Sequence, residues 1–376
     1  MTVIGTRPEI IRLSSTIKLL DKQDAIEHVL VHTGQNYDYE LNQIFFDDLE
    51  LRAPNYYLEA AKETPIETIG TAMINIEEII INENPEAFLV LGDTNSSLTA
   101  IVAKKNKIPI FHMEAGNRCF DERVPEEINR KIVDHIADIN LPYSSIAREY
   151  LLAEGILADR IIKTGSPMYE VIQDNLSKIK SSTILNKLKI TKNKYFLISS
   201  HREENVDDER KLSEFVESLN AIIERHNYPI LFSTHPRTLK RIKNLKISLH
   251  ERIQVHKPFS FTDYCNLQMN AKAVLSDSGT ISEETSILGL KSLNIRESHE
   301  RPEAMEEGTV MFTGYSKERI LQGLSILEES PSTREVEDYR FPNVSSTVLK
   351  AIISYTNYVK VNQNHLYGYN HYYPHL

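Results

Sequence analysis

Cysteine is nearly absent from this chain of 376 residues, which contains only Cys119 and Cys265. Two isolated cysteines form neither a disulfide framework nor the paired spacing of a zinc site. The sequence also lacks an apolar run of roughly 18 residues, the length that a membrane-spanning helix needs, and it has no signal-peptide pattern. These absences predict a reduced, cytoplasmic protein.

Basic residues are also fewer than acidic residues. The chain has 53 acidic residues against 43 Lys and Arg, which gives a net charge of −10. That balance argues against broad binding to nucleic acid or to an anionic membrane, although a local basic cleft remains compatible with it. A length of 376 residues with 41% hydrophobic content predicts a globular protein of two ordinary domains.

Short apolar segments alternate with amphipathic ones along both halves of the chain. The pattern predicts strands at 2–4, 28–33, 87–91, 108–113, 139–142, 161–164, 195–199, 230–233, 253–255, 273–275 and 292–295. Helices separate most of them, and a hinge is expected at 165–167. Such alternation is typical of parallel, doubly wound α/β sheets, which bind ligands at the carboxyl ends of their strands.

The stretch 112–130, read HMEAGNRCFDERVPEEINR, is rich in carboxylates. It runs from the end of the predicted strand 108–113, through a loop, into a predicted helix at 126–137. Acid and base groups of α/β enzymes occupy such loops, so we interpret Glu114, directly at a strand end, as functional. Asp121, Glu122 and Glu127 fit the alternative better, in which they are solvated charges or acids that favour a helix start.

Two further turns at the same predicted edge carry polar residues. Asp93 follows strand 87–91 and either caps the next helix or serves in the site; the nearby Glu114 favours the site. In GTRPEIIR, Pro8 suits a first helical turn, and Arg7 and Arg12 beside free amides suit a phosphate or carboxylate. The alternative there is a capped helix with surface arginines.

The second half places a polar group after each of four strands. These groups are His201, Arg202, His235, Arg237, Ser278, Glu284, Arg296 and Arg301. In SDSGTISEE, a tight turn before a helix near Thr280 can hold a pyrophosphate through amides and a hydroxyl. Glu283 or Glu284 could accept hydrogen bonds from a ribose, although a capping box would explain the same letters.

Eight motifs occur in one order: GTRPEIIR, GDTNSS, MEAGNR, PEEINR, SHREENV, THPRT, SDSGTISEE and HERPEA. Together, from Gly5 to about Gly308, they resemble the non-hydrolysing UDP-N-acetylglucosamine 2-epimerase family. The resemblance implies a GT-B architecture with two Rossmann-like domains, an interdomain active-site cleft, a C-terminal helix that crosses back to the first domain, and a homodimer. The domains would comprise residues 1–166 with 345–376, and 167–344.

The resemblance also implies the chemistry, in which UDP is eliminated across C1–C2 to give a glycal and is re-added with inversion at C2. Neither a nicotinamide nor a metal is needed. By motif, Asp93, Glu114 and Glu126 match the catalytic carboxylates, and His201 matches the catalytic histidine. The implied substrate-binding residues are Arg7, Arg12, Arg202, His235, Ser278, Gly279 and Thr280 for phosphates and sugar, Glu284 for the ribose, Arg301 near the diphosphate and Tyr264 beside the uracil.

Departures from the family pattern point to a particular sugar. Arg12 stands where a lysine is frequent, Thr280 stands where a second glycine is usual, and residues 35–38 (QNYD) replace the Gln-His-Arg-Glu motif of allosteric members. These features resemble a branch that makes UDP-N-acetyl-L-fucosamine from UDP-2-acetamido-2,6-dideoxy-L-talose for capsule or O-antigen synthesis. Cys119 and Phe120 could line a less polar pocket for a 6-deoxy sugar.

Other functions remain open on the sequence alone. A UDP-N-acetylglucosamine/UDP-N-acetylmannosamine 2-epimerase would carry the same acids. A GT-B glycosyltransferase would bind UDP but would need an acceptor and would not exchange the C2 hydrogen. A hydrolysing epimerase would release free sugar, and a non-catalytic sensor would bind without turnover.

Overall fold

The computed structural model describes residues 1–34, 43–200, 209–234, 236–245, 247–296, 298, 300–329 and 334–368. The chain forms two compact units. The first comprises Met1–Val171 and Phe341–Leu376, and the second comprises Ile172–Arg340. Each unit contains a six-stranded parallel sheet. The prediction of two doubly wound sheets is therefore confirmed.

The first sheet has the strand order β3-β2-β1-β4-β5-β6. Its strands are β1 Thr2–Ile4, β2 Leu30–His32, β3 Tyr56–Tyr57, β4 Phe88–Leu91, β5 Ile110–Met113 and β6 Ile139–Leu141. The helices are α1 Arg7–Asp21, α2 Gln43–Asp48, α3 Pro65–Glu83, α4 Ala100–Lys105, α5 Glu126–Ile136 and α6 Ser145–Ala153; α7, Met168–Asp174, spans the unit boundary. The order reverses between β1 and β4, where doubly wound sheets bind their ligands.

The second sheet has the order β12-β11-β10-β7-β8-β9 and reverses between β7 and β10. Its strands are β7 Phe196–Ser200, β8 Ile230–Thr234, β9 Ile253–His256, β10 Ala273–Ser276, β11 Ser292–Asn294 and β12 Met311–Phe312. Its helices are α8 Leu176–Ser181, α9 Ile184–Lys187, α10 Glu209–His226, α11 Pro236–Asn244, α12 Phe261–Asn270, α13 Ile281–Leu288, α14 Pro302–Glu306 and α15 Lys317–Glu329.

The apolar runs of the second sheet explain its burial. Phe196 and Ile198 belong to one buried cluster, whereas Tyr195 and Leu197 belong to another. Because successive strand residues point to opposite faces, the sheet has a core on both sides. Strands buried on both faces read as continuous apolar runs, which is how the sequence revealed them.

The helix α16, Val344–Gly368, belongs to the first unit. Its first turn is fixed by Glu170, which accepts a hydrogen bond from the Ser345 amide at 2.8 Å. Farther along, Tyr358 donates to Asp159 at 3.1 Å. Residues 369–376 of the tyrosine-rich tail lie outside the described residues. None of the described helices is both long enough and apolar enough to cross a membrane.

One predicted strand is not formed, and two observed strands were not predicted. The segment 161–164 is not a strand, because only Ile161 forms a bridge, with Asn140. Pro142 directly follows β6 and has no amide hydrogen for a longer ladder. The edge strands β3 and β12 were not predicted, since two residues are too few to show a period-two pattern.

The turn from β1 to α1 is organised by Glu9. Its Oε2 accepts from the amides of Gly5 at 2.9 Å and Thr6 at 2.7 Å, and its Oε1 accepts from the Thr94 hydroxyl at 2.9 Å. Thr94 lies in the turn after β4, so this side chain joins the two turns at the switch point. Burial raises the pKa of Glu9 from 4.5 to about 7 and outweighs the hydrogen bonds that lower it.

We predict that Glu9 makes the stability of the protein depend on pH. A carboxyl whose pKa is raised in the folded state stabilises the fold below its unfolded pKa and loses that contribution as pH rises. Glu9→Gln keeps an oxygen at the two amides and lets the Thr94 hydroxyl accept instead. In denaturant titrations, the stability of wild type relative to this variant should fall by about 1–3 kcal/mol between pH 5 and pH 8.

The matched control for this prediction is Glu67→Gln. Glu67 accepts from the Thr64 amide at 3.1 Å at the start of α3, as Glu9 does at the start of α1, but it is exposed. A constant difference between wild type and Glu9→Gln over the whole pH range, or an equal trend in the control, would contradict the prediction.

Candidate active site

Glu114 lies at the carboxyl end of β5 and is held by a buried arginine. Its backbone has φ 63°, in the left-handed region that is costly for a residue with a Cβ. The carboxylate forms an ion pair with Arg12 of α1 and accepts from Asn117 at 3.3 Å. Arg12 is only 3% exposed, and its guanidinium lies 5.7 Å from the ring centre of Tyr143. The alternative of a surface arginine is therefore wrong for Arg12.

Asp93 follows β4, the neighbour of β5 in the sheet, and the residue before it lies close to Glu114. A Cβ placed on the preceding Gly92 would be 3.9 Å from the Glu114 carboxyl carbon. The Asp93 carboxylate accepts from Nε of Arg130 at 2.6 Å, and its carbonyl accepts from Asn129 at 2.8 Å. It does not cap a helix, because the following helical segments begin after Ser96 and Thr99. The acids that follow two adjacent strands therefore each form an ion pair with a different arginine.

Arg130 also binds Glu127, which the sequence did not identify as part of the site. Glu127 is buried and accepts from Arg130 at 2.8 Å and from the Cys119 amide at 3.1 Å. Burial opposes its ionisation, but these hydrogen bonds and the Arg130 charge outweigh it and lower the pKa of Glu127. Glu127 does lie in the first turn of α5, as expected for an acid that favours a helix start, but it is not a solvated charge. Glu122 is exposed, as predicted.

A second buried network supports the loop that follows β5 and contains Glu114. His112 contacts the Gly92 carbonyl at 2.8 Å through Nε2 and Asp134 at 2.9 Å through Nδ1. Asp134 in turn accepts from Arg118 at 2.7 Å and from the Gly116 amide at 3.2 Å. These contacts tie residues 112–118, the first part of the loop, to Asp134 of α5. They were missed because the partners are 16 to 22 residues apart.

The other predicted residues of the first unit lie at helix starts on the same edge. Glu126 is the half-buried first residue of α5, the helix that carries both partners of Asp93. Arg7 is the first residue of α1, and its guanidinium lies 5.9 Å from the Phe45 ring centre.

In the second unit, the turn after β10 presents hydroxyls and amides before α13. Thr280 occupies the N-cap position, and its hydroxyl lies 2.9 Å from that of Ser278. A Cβ on Gly279 would lie 3.7 Å from Glu300 and 3.9 Å from Arg296, so the turn sits against a buried ion pair. A helix start of this kind can bind a phosphate.

The two acids of this motif do not form a capping box, since the cap of α13 has no side-chain hydrogen bond. Glu283 is buried and pairs with Arg301 at 3.6 Å. Burial tends to lower the pKa of Arg301, but Glu283 and other neighbouring acids outweigh it and raise it. Glu284 accepts from Gln268 of α12 at 2.5 Å.

The remaining predicted residues lie in α12 or outside the described residues. Tyr264 of α12 is half-buried and packs against the core cluster that contains Leu267 and Ile281. His201, Arg202, His235 and residues 35–38 lie outside the described residues. Within the described ranges, no three His, Cys, Asp or Glu side chains are grouped as a metal site.

Comparison with known proteins gives a consistent set of relatives. The model of the family UDP-N-acetylglucosamine 2-epimerase matches residues 18–353. A structure of UDP-N-acetylglucosamine 2-epimerase from Rickettsia bellii is 50% identical, with a TM-score of 0.89 over 96% of this chain and 97% of that one. Methanocaldococcus jannaschii UDP-GlcNAc 2-epimerase, solved with UDP-GlcNAc and UDP, is 34% identical, with a TM-score of 0.87 over 94% and 99%.

Another relative of comparable identity is named for a different substrate. The UDP-2,3-diacetamido-2,3-dideoxy-D-glucuronate 2-epimerase of Pseudomonas aeruginosa is 33% identical over 86% of this chain and 90% of its own length. A lipopolysaccharide outer core galactosyltransferase, at 14% identity and a TM-score of 0.53, shares the fold alone. The two Rossmann-like units have the GT-B architecture, and the chain belongs to the UDP-N-acetylglucosamine 2-epimerase family.

Proposed function

We propose that this epimerase inverts C2 of a UDP-N-acetyl sugar without hydrolysis and forms UDP-N-acetyl-L-fucosamine from UDP-2-acetamido-2,6-dideoxy-L-talose. The observation that carries the epimerase chemistry is the pair of adjacent strand-end carboxylates, Asp93 and Glu114, each held by a buried arginine. Proton transfer at a carbon needs groups whose position and charge are fixed before the substrate arrives. These two pairs meet that requirement.

The reaction proceeds in two steps, an elimination and a re-addition. A base removes the C2 proton, the C–H electrons form a C1=C2 bond, and the C1–O bond breaks so that UDP leaves with its electron pair. UDP oxygen then attacks C1 again, and an acid on the opposite face returns a proton to C2. We assign these transfers to Asp93, Glu114, Glu126 and His201.

The diphosphate and nucleoside require cations, amides and a ribose acceptor. Arg7 and Arg12 at the start of α1, together with Arg202 and His235, supply charge to the phosphates. The amides and hydroxyls of the turn Ser278–Gly279–Thr280 bind the diphosphate at the start of α13. Glu284 accepts from the ribose, Tyr264 lies beside the uracil, and Arg301 steadies the first turn of α13 near the diphosphate through Glu283.

The proposed sugar rests on the chemistry of two loops. Thr280 fills the position where the family has a glycine, and its hydroxyl engages Ser278. In the loop after Glu114, the Phe120 ring is 70% exposed and packs edge-on against Tyr150, with a centroid distance of 5.3 Å. An apolar ring beside Cys119 suits a sugar that has a methyl group in place of the 6-hydroxyl. The alternative is the UDP-N-acetylglucosamine/UDP-N-acetylmannosamine pair; several relatives are named UDP-N-acetylglucosamine 2-epimerase.

Proton NMR in D2O with each of the two UDP-sugars tests the reaction and the sugar together. Elimination and re-addition replace the C2 hydrogen with deuterium, so the C2 proton signal should disappear as the C2 epimer appears, without net release of UDP. We expect the 6-deoxy-L-talo sugar to react faster than UDP-N-acetylglucosamine. Faster reaction of the latter would refute the sugar assignment, free UDP and sugar would indicate hydrolysis, and UDP binding without exchange would indicate a transferase.

The carboxylate roles predict a separation of binding from turnover. Glu114→Gln and Glu126→Gln should each lower turnover by about 10²- to 10⁴-fold, the usual loss of a general acid or base. UDP affinity, measured by calorimetry, should change by less than about tenfold, because neither acid is assigned to the nucleotide. Glu122→Gln, in the exposed part of the same loop, is the matched control. Turnover near wild type in both variants would remove these residues from the mechanism.

A further inference from the structure

Gln268 and Glu284 form a buried pair between two helices of the second unit. Gln268 lies in α12 and is 2% exposed, and Glu284 lies in the first turn of α13 and is 6% exposed. The Gln268 Nε2 donates to the Glu284 Oε2 at 2.5 Å. A hydrogen bond to a charged acceptor in a buried setting fixes the direction of the carboxylate more strongly than water would.

The orientation of the Gln268 amide is determined by its partner. A rotated amide would place its oxygen 2.5 Å from a carboxylate oxygen, where two acceptors repel each other. The amino group therefore faces Glu284. The amide oxygen Oε1 is then left buried, and within the described part of the chain it has no hydrogen-bond partner.

This arrangement is costly for folding alone. A buried acceptor without a partner loses its solvation and gains nothing in return, whereas an apolar side chain of similar size would carry no such cost. Glutamine at this position is thus explained by what its amino group does to Glu284. Asn266, two residues earlier in α12, differs because its side chain donates to the Ile179 carbonyl at 2.8 Å and serves packing within the unit.

We propose that Gln268 is a positioning residue that orients Glu284 for the ribose hydroxyls and so makes the site prefer a ribonucleoside diphosphate to its 2′-deoxy counterpart. This inference rests on the proposed function, in which Glu284 accepts from the ribose. Without Gln268, the carboxylate rotates towards other donors and loses its alignment with the diol. Affinity for the ribose hydroxyls falls, whereas affinity for the diphosphate and the base is retained.

Calorimetric titration of the full chain with UDP and with 2′-deoxy-UDP tests the proposal. Wild type should bind UDP at least about tenfold more tightly, since a lost charged hydrogen bond is worth about that factor. In Gln268→Leu the ratio of the two dissociation constants should fall to within about threefold. Glu284→Gln should show the same loss, because both changes act on one contact.

Two further variants make the outcome unambiguous. Gln268→Asn keeps the amide but is one carbon too short to reach Glu284, so it should reproduce the lost preference if Gln268→Leu does not fold. Asn266→Leu removes a buried hydrogen bond from the same helix and should keep the wild-type ratio. Equal weakening of both nucleotides in Gln268→Leu and Gln268→Asn, or an unchanged ratio, would overturn the proposal. Absence of UDP binding in wild type would instead contradict the proposed function.

Discussion

The ion pair between Arg12 and Glu114 is the interaction on which the first unit's site depends. Ionisation of a carboxyl group at the end of a buried strand costs free energy unless a cation lies against it. Arg12 reaches Glu114 from α1, which follows the central strand β1, whereas Glu114 follows β5. The pair therefore ties together strand ends that are separated by β4. Arg130 of α5, the helix that follows β5, pairs with Asp93 and so ties the ends of the neighbouring strands β4 and β5.

The two units meet similar requirements with different chemistry. In the first, buried arginines pair with the carboxylates to which we assign proton transfer, and Glu9 joins the two turns at the switch point. In the second, the turn after β10 presents amides and hydroxyls, and the side-chain amide of Gln268 in α12 donates to Glu284. Backbone amides and hydroxyls before a helix are donors that suit the anionic diphosphate that we assign to this turn.

The sequence predicted features that depend on local order. Strands buried on both faces appear as apolar runs, and a polar residue after such a run lies at the sheet's carboxyl edge wherever the strands are parallel. That reasoning placed Asp93 and Glu114 together. It could not find Arg130, which resembles any helical arginine until the fold sets it against Asp93. Glu127 was misjudged for a related reason, since an acid in a first helical turn is usually exposed.

We infer that Arg12 and Glu114 act as one unit in proton transfer at C2. A double-mutant cycle with Arg12→Met and Glu114→Gln, read as the rate of C2 deuterium exchange, tests it most directly. The account predicts that each single change slows exchange by about 10²-fold or more, that the double variant is no slower than the slower single one, and that Arg12→Lys stays within about tenfold of wild type. Multiplication of the two single effects in the double variant would show that the residues act independently and would contradict the account.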